Sequence, residues 1–157
     1  MTKTALSLAL LAATLLGCAT PNQDRAASAE TAAEVAAFLS RYLKAIDSRD
    51  ETTLRDSYVA GDRFAWIEDG KLRYRSADEV VAGLKTLPAS TPIRTELKDL
   101  VVVPVGTNGA HARAGFTTVI GSPPSGFMFG GVISLVLEKQ GNAWRLVAGH
   151  TSSPSRR

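Results

Sequence analysis

The sequence predicts an α+β fold: a cone-shaped, curved antiparallel sheet, built from a hairpin and a four-strand meander and wrapped on three helices. Three observations carry this reading. Apolar residues recur at helical spacing in three stretches, all of them before Pro88. Beyond Pro92 the chain alternates in strand fashion between Gly- and Pro-containing turns. That alternation slips phase at Asp99, as it does where a bulge bends a sheet.

The elements follow in chain order. Lys3 precedes an apolar run from Ala5 to Leu16, too short to span a bilayer and of the length of a secretory signal core. Leu15-Leu16-Gly17-Cys18 ends it. These four residues resemble the lipobox of bacterial lipoproteins. The resemblance implies that residues 1–17 are removed as a signal peptide and that Cys18 is acylated by palmitate-type chains. A cleaved signal with an incidental cysteine is the alternative. Ala19 stands where an inner-membrane retention signal has Asp, which implies an envelope protein anchored in the outer membrane and facing the periplasm. Cys18 is the only cysteine, so a lipidated Cys18 leaves no thiol for catalysis, disulfides or zinc. Acyl chains also account for membrane attachment without a transmembrane helix.

Residues 18–30 are small and polar and read as a flexible tether, 31–153 as one domain and 154–157 as a tail. The formal net charge of +3 is spread along the chain, with no basic stripe for nucleic acid. Thr31 and Glu34 have capping-box spacing, which places the first helix at 32–47. Asp50 caps a short second helix with Leu54 and Tyr58 on one face. Phe64-Ala65-Trp66 reads as a strand, and Asp69-Gly70 as a type I′ hairpin turn leading to a return strand with Leu72 and Tyr74. Ser76 and Glu79 form a second capping box for a helix over 77–87. Strands follow from Ile93, over 110–120, 127–138 and 143–151.

That order, with three local stretches, resembles the nuclear transport factor two-like superfamily, which includes SnoaL-like cyclases and ketosteroid isomerases. The stretches are Tyr42 to Tyr58, Phe64 to Gly70, and Gly141 to Ser153, with Trp144 and a terminal His150-Thr151-Ser152. The last looks like the closing strand of a large subgroup without assigned chemistry. The resemblance implies a pocket between sheet and helices, and homodimers through the convex face of the sheet. It does not imply an activity, because this fold hosts isomerases, hydrolases and purely associative domains.

An isomerase site of the family's kind needs a carboxylate base, a tyrosine donor and a protonated carboxyl. Tyr42 matches the tyrosine. Glu68 and Asp69 are the acids nearest the expected base, at a hairpin turn where they are solvated. Strand 127–138 has no carboxylate before Glu138. Period-two alternation from Trp144 through Leu146 and Ala148 puts His150 on the same face, as a candidate acid/base near neutral pH, with Tyr58 or Tyr74 as proton-transfer partner. The bland alternative is a histidine hydrogen-bonded to a neighbouring strand. Candidate pocket-lining residues are Tyr42, Tyr58, Trp66, Tyr74, Arg113, Phe127, Phe129, Trp144 and His150; for the aromatics the alternative is ordinary core packing, and for Arg113 a solvated position. His111 is expected at an exposed strand end. Gly130-Gly131 marks a sharp bend or a close approach to a ligand. No His-x-His or His-x-x-x-His pair supports a metal, and no cofactor is expected. Three functions follow: a lipid-anchored domain binding a small, mostly apolar molecule, a cofactor-free enzyme using His150, or a dimerisation module.

Overall fold

The computed structural model describes residues 21–154. Cys18 and its surroundings lie outside them. Helix α1 (Pro21–Ser48) buries Val35, Phe38, Leu39, Tyr42 and Ala45 on one stripe. It starts well before Thr31, so the segment expected as a tether is helical from Pro21 onward. Residues 24–30 are almost all exposed, so burial does not hold this part. Proline at the first helical position and a run rich in alanine do.

Thr31 is therefore inside the helix and caps nothing. Glu34 is free for another task. Its carboxylate accepts from Lys139 Nζ at 2.8 and 2.7 Å and from Trp144 Nε1 at 2.9 Å, tying α1 to the far end of the sheet. The Lys139 hydrogen bond, then that of Trp144, holds the Glu34 carboxyl below its ordinary value. A carboxylate with a depressed pKa stabilises the fold above its unfolded pKa, and that stabilisation disappears as pH falls through the folded value. Glu34→Gln is thus expected to lower the unfolding temperature at pH 7, and the gap to the parent should narrow below the ordinary value of 4.5. A gap that stays constant from pH 7 to pH 3 would rule out the charge as its origin.

Helix α2 (Glu51–Asp56) begins as expected: the Asp50 side chain accepts from the Thr53 amide at 3.0 Å. A short 3-10 turn, Gly61–Arg63, follows, and Phe64 is buried in the core rather than opening the strand. Strands β1 (Ala65–Glu68) and β2 (Lys71–Tyr74) form the hairpin. Asp69 at φ 47° and Gly70 at φ 78° both occupy the left-handed region that a type I′ turn requires. Helix α3 (Ala77–Lys85) is capped by Ser76, which accepts from the Glu79 amide at 3.2 Å.

Strands β3 (Ile93–Val105), β4 (Gly109–Ile120), β5 (Phe127–Gln140) and β6 (Ala143–Ser152) form the meander. The six-strand order is β2-β1-β6-β5-β4-β3. β1 runs parallel to β6, pairing Trp66 with Gly149 and Glu68 with Thr151; the other pairs are antiparallel. Asp99, at φ 54°, sits in a register shift between Lys98 and Val101, at the expected bulge. A second shift opposes Val136/Leu137 with Ala148 and Leu146, leaving Val147 as the extra residue.

The concave face packs on the helices. β4 contributes Ala110, Ala112, Ala114 and Phe116, and β5 contributes Ile133, Leu135 and Leu137. On the convex face Val101, Val103, Val105, Val132 and Val136 are exposed. Gly130 and Gly131 mark close approach of neighbouring strands: a Cβ at either would run into the Phe116 or the Ser152 carbonyl.

Candidate functional site

A cavity of about 220 Å³ opens between α1 and the concave face of the sheet. Tyr42, Leu43 and Ile46, spaced to share one helix face, form one wall. Trp66 and Glu68 enter from β1, and Phe116, Thr118, Phe129 and Ile133 from the meander. Tyr42, Phe116, Thr118 and Ile133 are buried and make the floor. Glu68, Asp69, Phe129 and Ser153 are more open and make the mouth.

Two hydroxyl pairs organise the polar part. Tyr42 and Tyr58 hydroxyls lie 2.7 Å apart, and those of Thr95 and Thr118 2.9 Å apart. Thr95 and Thr118 both line the cavity, so the O–H hydrogen not used between them can be offered to a ligand acceptor, and Tyr42 can offer its own where Tyr58 is the donor of their bond. Burial pushes the Tyr42 pKa up to about 12. Burial, and then the Tyr42 hydroxyl, push Tyr58 well above its ordinary value. Both are therefore protonated donors at neutral pH and not bases.

Beside the mouth, Phe127, Met128 and Phe129 form an exposed apolar lip over an open shelf that shares Asp69, Phe129 and Ser153 with the cavity. Stacked rings at 5.9 Å join Phe127 to Phe129.

The structure separates the residues grouped from sequence. Tyr42, Trp66 and Phe129 line the cavity. Tyr58 stands behind Tyr42, in a second layer. Tyr74 packs its ring against Gly83 of α3. Trp144 is buried at the narrow end on Glu34. Arg113 is exposed on the convex face, and Phe127 belongs to the lip.

His150 does not face the cavity. The extra residue Val147 reverses the alternation, so Leu146 and Gly149 are buried and His150 is exposed on the convex side, opposite Ser134. His111 is also on that side, half-buried rather than exposed, with Nε2 2.8 Å from Ser134 Oγ. No group of three or more metal-ligating side chains occurs among the described residues.

Glu68 and Asp69 are solvated, as their turn position demands, and they also form the cavity mouth. Glu68 shares the inward parity of Trp66, a signal readable in sequence once the strand is placed. Thr118 shares the face of Phe116 in the same way. β5 brings only Phe129 and Ile133 to the cavity, so the second carboxyl of an isomerase site has no counterpart there.

A profile of the SnoaL-like domain matches residues 35–156. The chain belongs to the SnoaL-like domain family. A comparison with the curated proteins finds no match. Solved structures similar to the chain include a nuclear transport factor 2-like superfamily protein from Salmonella enterica serovar Typhimurium LT2, at 20% identity over 82% of this chain and 94% of that one, with TM-score 0.69. A nuclear transport factor 2-like protein of unknown function in nutrient uptake from Rhodospirillum rubrum is 21% identical over 77% of this chain and 98% of its own, with TM-score 0.63. A putative calcium/calmodulin-dependent protein kinase II association domain from Xanthomonas campestris is 13% identical over 79% and 88%, with TM-score 0.65. At these identities the likeness establishes the fold alone. The SnoaL-like chain has no helix among its described residues long and apolar enough to cross a membrane.

Proposed function

We propose that this SnoaL-like domain is held at the cell envelope by a lipid on Cys18 and binds a small, mostly apolar molecule in the cavity between α1 and the sheet. One observation carries the binding reading. The concave face is not filled by its own side chains: a walled space of about 220 Å³ remains, with an apolar body and hydroxyls on its floor. His150, the candidate acid/base, faces the other way, and the carboxylates of the lining, Glu68 and Asp69, stand at the mouth rather than on the apolar floor. The lipid reading is supported by Lys3, the apolar run and Leu15-Leu16-Gly17-Cys18 in the order of a lipobox.

Native mass spectrometry of the protein released from its own envelope tests the binding reading. A retained small-molecule mass is expected, and Thr118→Phe, which fills the floor, should lose it. Protein with no retained mass, and no change on Thr118→Phe in a ligand screen, would sink the idea. Acyl labelling tests the anchor: Cys18→Ser should abolish it, and continued labelling overturns that part.

A second reading coexists with the first. Val101, Val103, Val132 and Val136 expose an apolar face on the convex sheet, which a second copy of the chain would cover as a homodimer. Its counterpart in the Xanthomonas protein's name is an association domain. The same spectra report it, as a dimer mass that Val136→Lys removes.

A further inference from the structure

We propose that the cavity takes an organic cation, a compact apolar body bearing a protonated amine, with the ammonium at Glu68 and Asp69 and the body against the aromatic walls. This rests on the binding reading above and names its ligand class.

The walls come first. Tyr42, Trp66, Phe116 and Phe129 all contribute to one small cavity. Aromatic faces carry negative potential, and rings grouped in this way hold ammonium groups better than neutral ones. The sign of the fixed charge agrees. Glu68 and Asp69 are the charged residues of the lining, and no lysine, arginine or histidine lines it among the described residues. The chain as a whole is formally +3, so the mouth runs against the overall balance.

Both carboxylates retain acceptor capacity. Asp69 uses Oδ1 to accept from the Ser153 amide at 2.7 Å, which fixes the side chain at the mouth, and its other oxygen accepts no hydrogen bond among the described residues. Glu68 meets Arg73 at 3.6 Å, longer than a charge-assisted hydrogen bond, with side chains 45% and 60% exposed. Such a pair is weak and yields to a better-placed cation. An anionic ligand would meet repulsion at the same two groups. A neutral apolar ligand would fill the floor and leave the mouth unused.

Isothermal titration of the full chain at pH 7 with 2-phenylethylammonium, neutral 2-phenylethanol and anionic 3-phenylpropionate tests this. The ammonium probe is expected to bind about tenfold more tightly than the alcohol, and the anion weakest. The double change Glu68→Gln, Asp69→Asn should bring the ammonium to the alcohol's affinity and leave the alcohol unchanged. Asn tolerates the left-handed backbone at position 69 and keeps an oxygen for the Ser153 amide. Added salt gives a second readout on the unaltered protein, weakening the ammonium and not the alcohol. An alcohol or anion that binds as well as the ammonium overturns the cation assignment and leaves the binding reading standing. A preference that survives the double change overturns the role of the two carboxylates. Failure of all three probes overturns both readings.

Discussion

Arg49→Ala is expected to destabilise the domain by about 3 kcal/mol, because one guanidinium donates to four carbonyl groups at once, and two of them, those of Leu87 and Thr91, accept from no backbone amide among the described residues. Arg49 follows the last turn of α1 and donates to the carbonyls of Leu84 at 2.9 Å, Leu87 at 3.2 Å, Pro88 at 3.0 Å and Thr91 at 2.8 Å. Those carbonyls belong to the end of α3 and the loop after it, where helical partners run out. The planar fork of arginine reaches several acceptors at once; an ammonium is a single point with three donors. Arg49→Lys should therefore recover less than half of the loss. Arg49 has φ 55°, and alanine meets the same left-handed backbone cost, so the difference reports the side chain. Urea unfolding checks it, and a loss below about 0.5 kcal/mol, the range of an ordinary surface change, would falsify this account.

Gly149→Ala is expected to damage the cavity and the fold together. Gly149 is buried on β6 opposite Trp66, and a Cβ there would overlap the Trp66 ring at Cε3 and Cζ3. The indole lies on the bare glycine, which is how so large a side chain fits in the wall. Adding one methyl forces it outward, at about 1–3 kcal/mol for overpacking. Tryptophan emission should shift to the red, and binding of whatever the cavity holds should fall. A double variant with Trp66→Leu distinguishes the cause: the alanine should then cost much less, because the overlapping ring is gone. Equal costs in the two backgrounds would mean that the strain lies elsewhere.

Local signals were legible where neighbours in the chain create them. The caps at Asp50 and Ser76 act within one helical turn, and Asp69-Gly70 sets its own turn through two positive φ angles. Asp99 announced its bulge because the apolar residues on either side change parity. By contrast, Thr31 and Glu34 have the spacing of a capping box and make none. The alanine-rich segment before them continues the helix, and Glu34 is claimed by Lys139 and Trp144, more than a hundred residues away in sequence.

The site was legible in part for the same reason. Tyr42 and Trp66 follow from helix and strand periodicity. His150 was misassigned because Val147 is an aliphatic among aliphatics, and no turn residue marks the extra position. Glu68 and Asp69 read as solvated turn residues and are solvated; the parity of Glu68 with Trp66 gives its side, and the parallel pairing of β1 with β6 sets both residues at the border of a cavity.

From the sequence alone came the α+β class, the element order and most turns, since periodicity and turn chemistry depend on residues close along the chain. Tertiary structure decided which side chains face the cavity. That choice depends on strand register, and a single extra residue turns every following side chain to the opposite face.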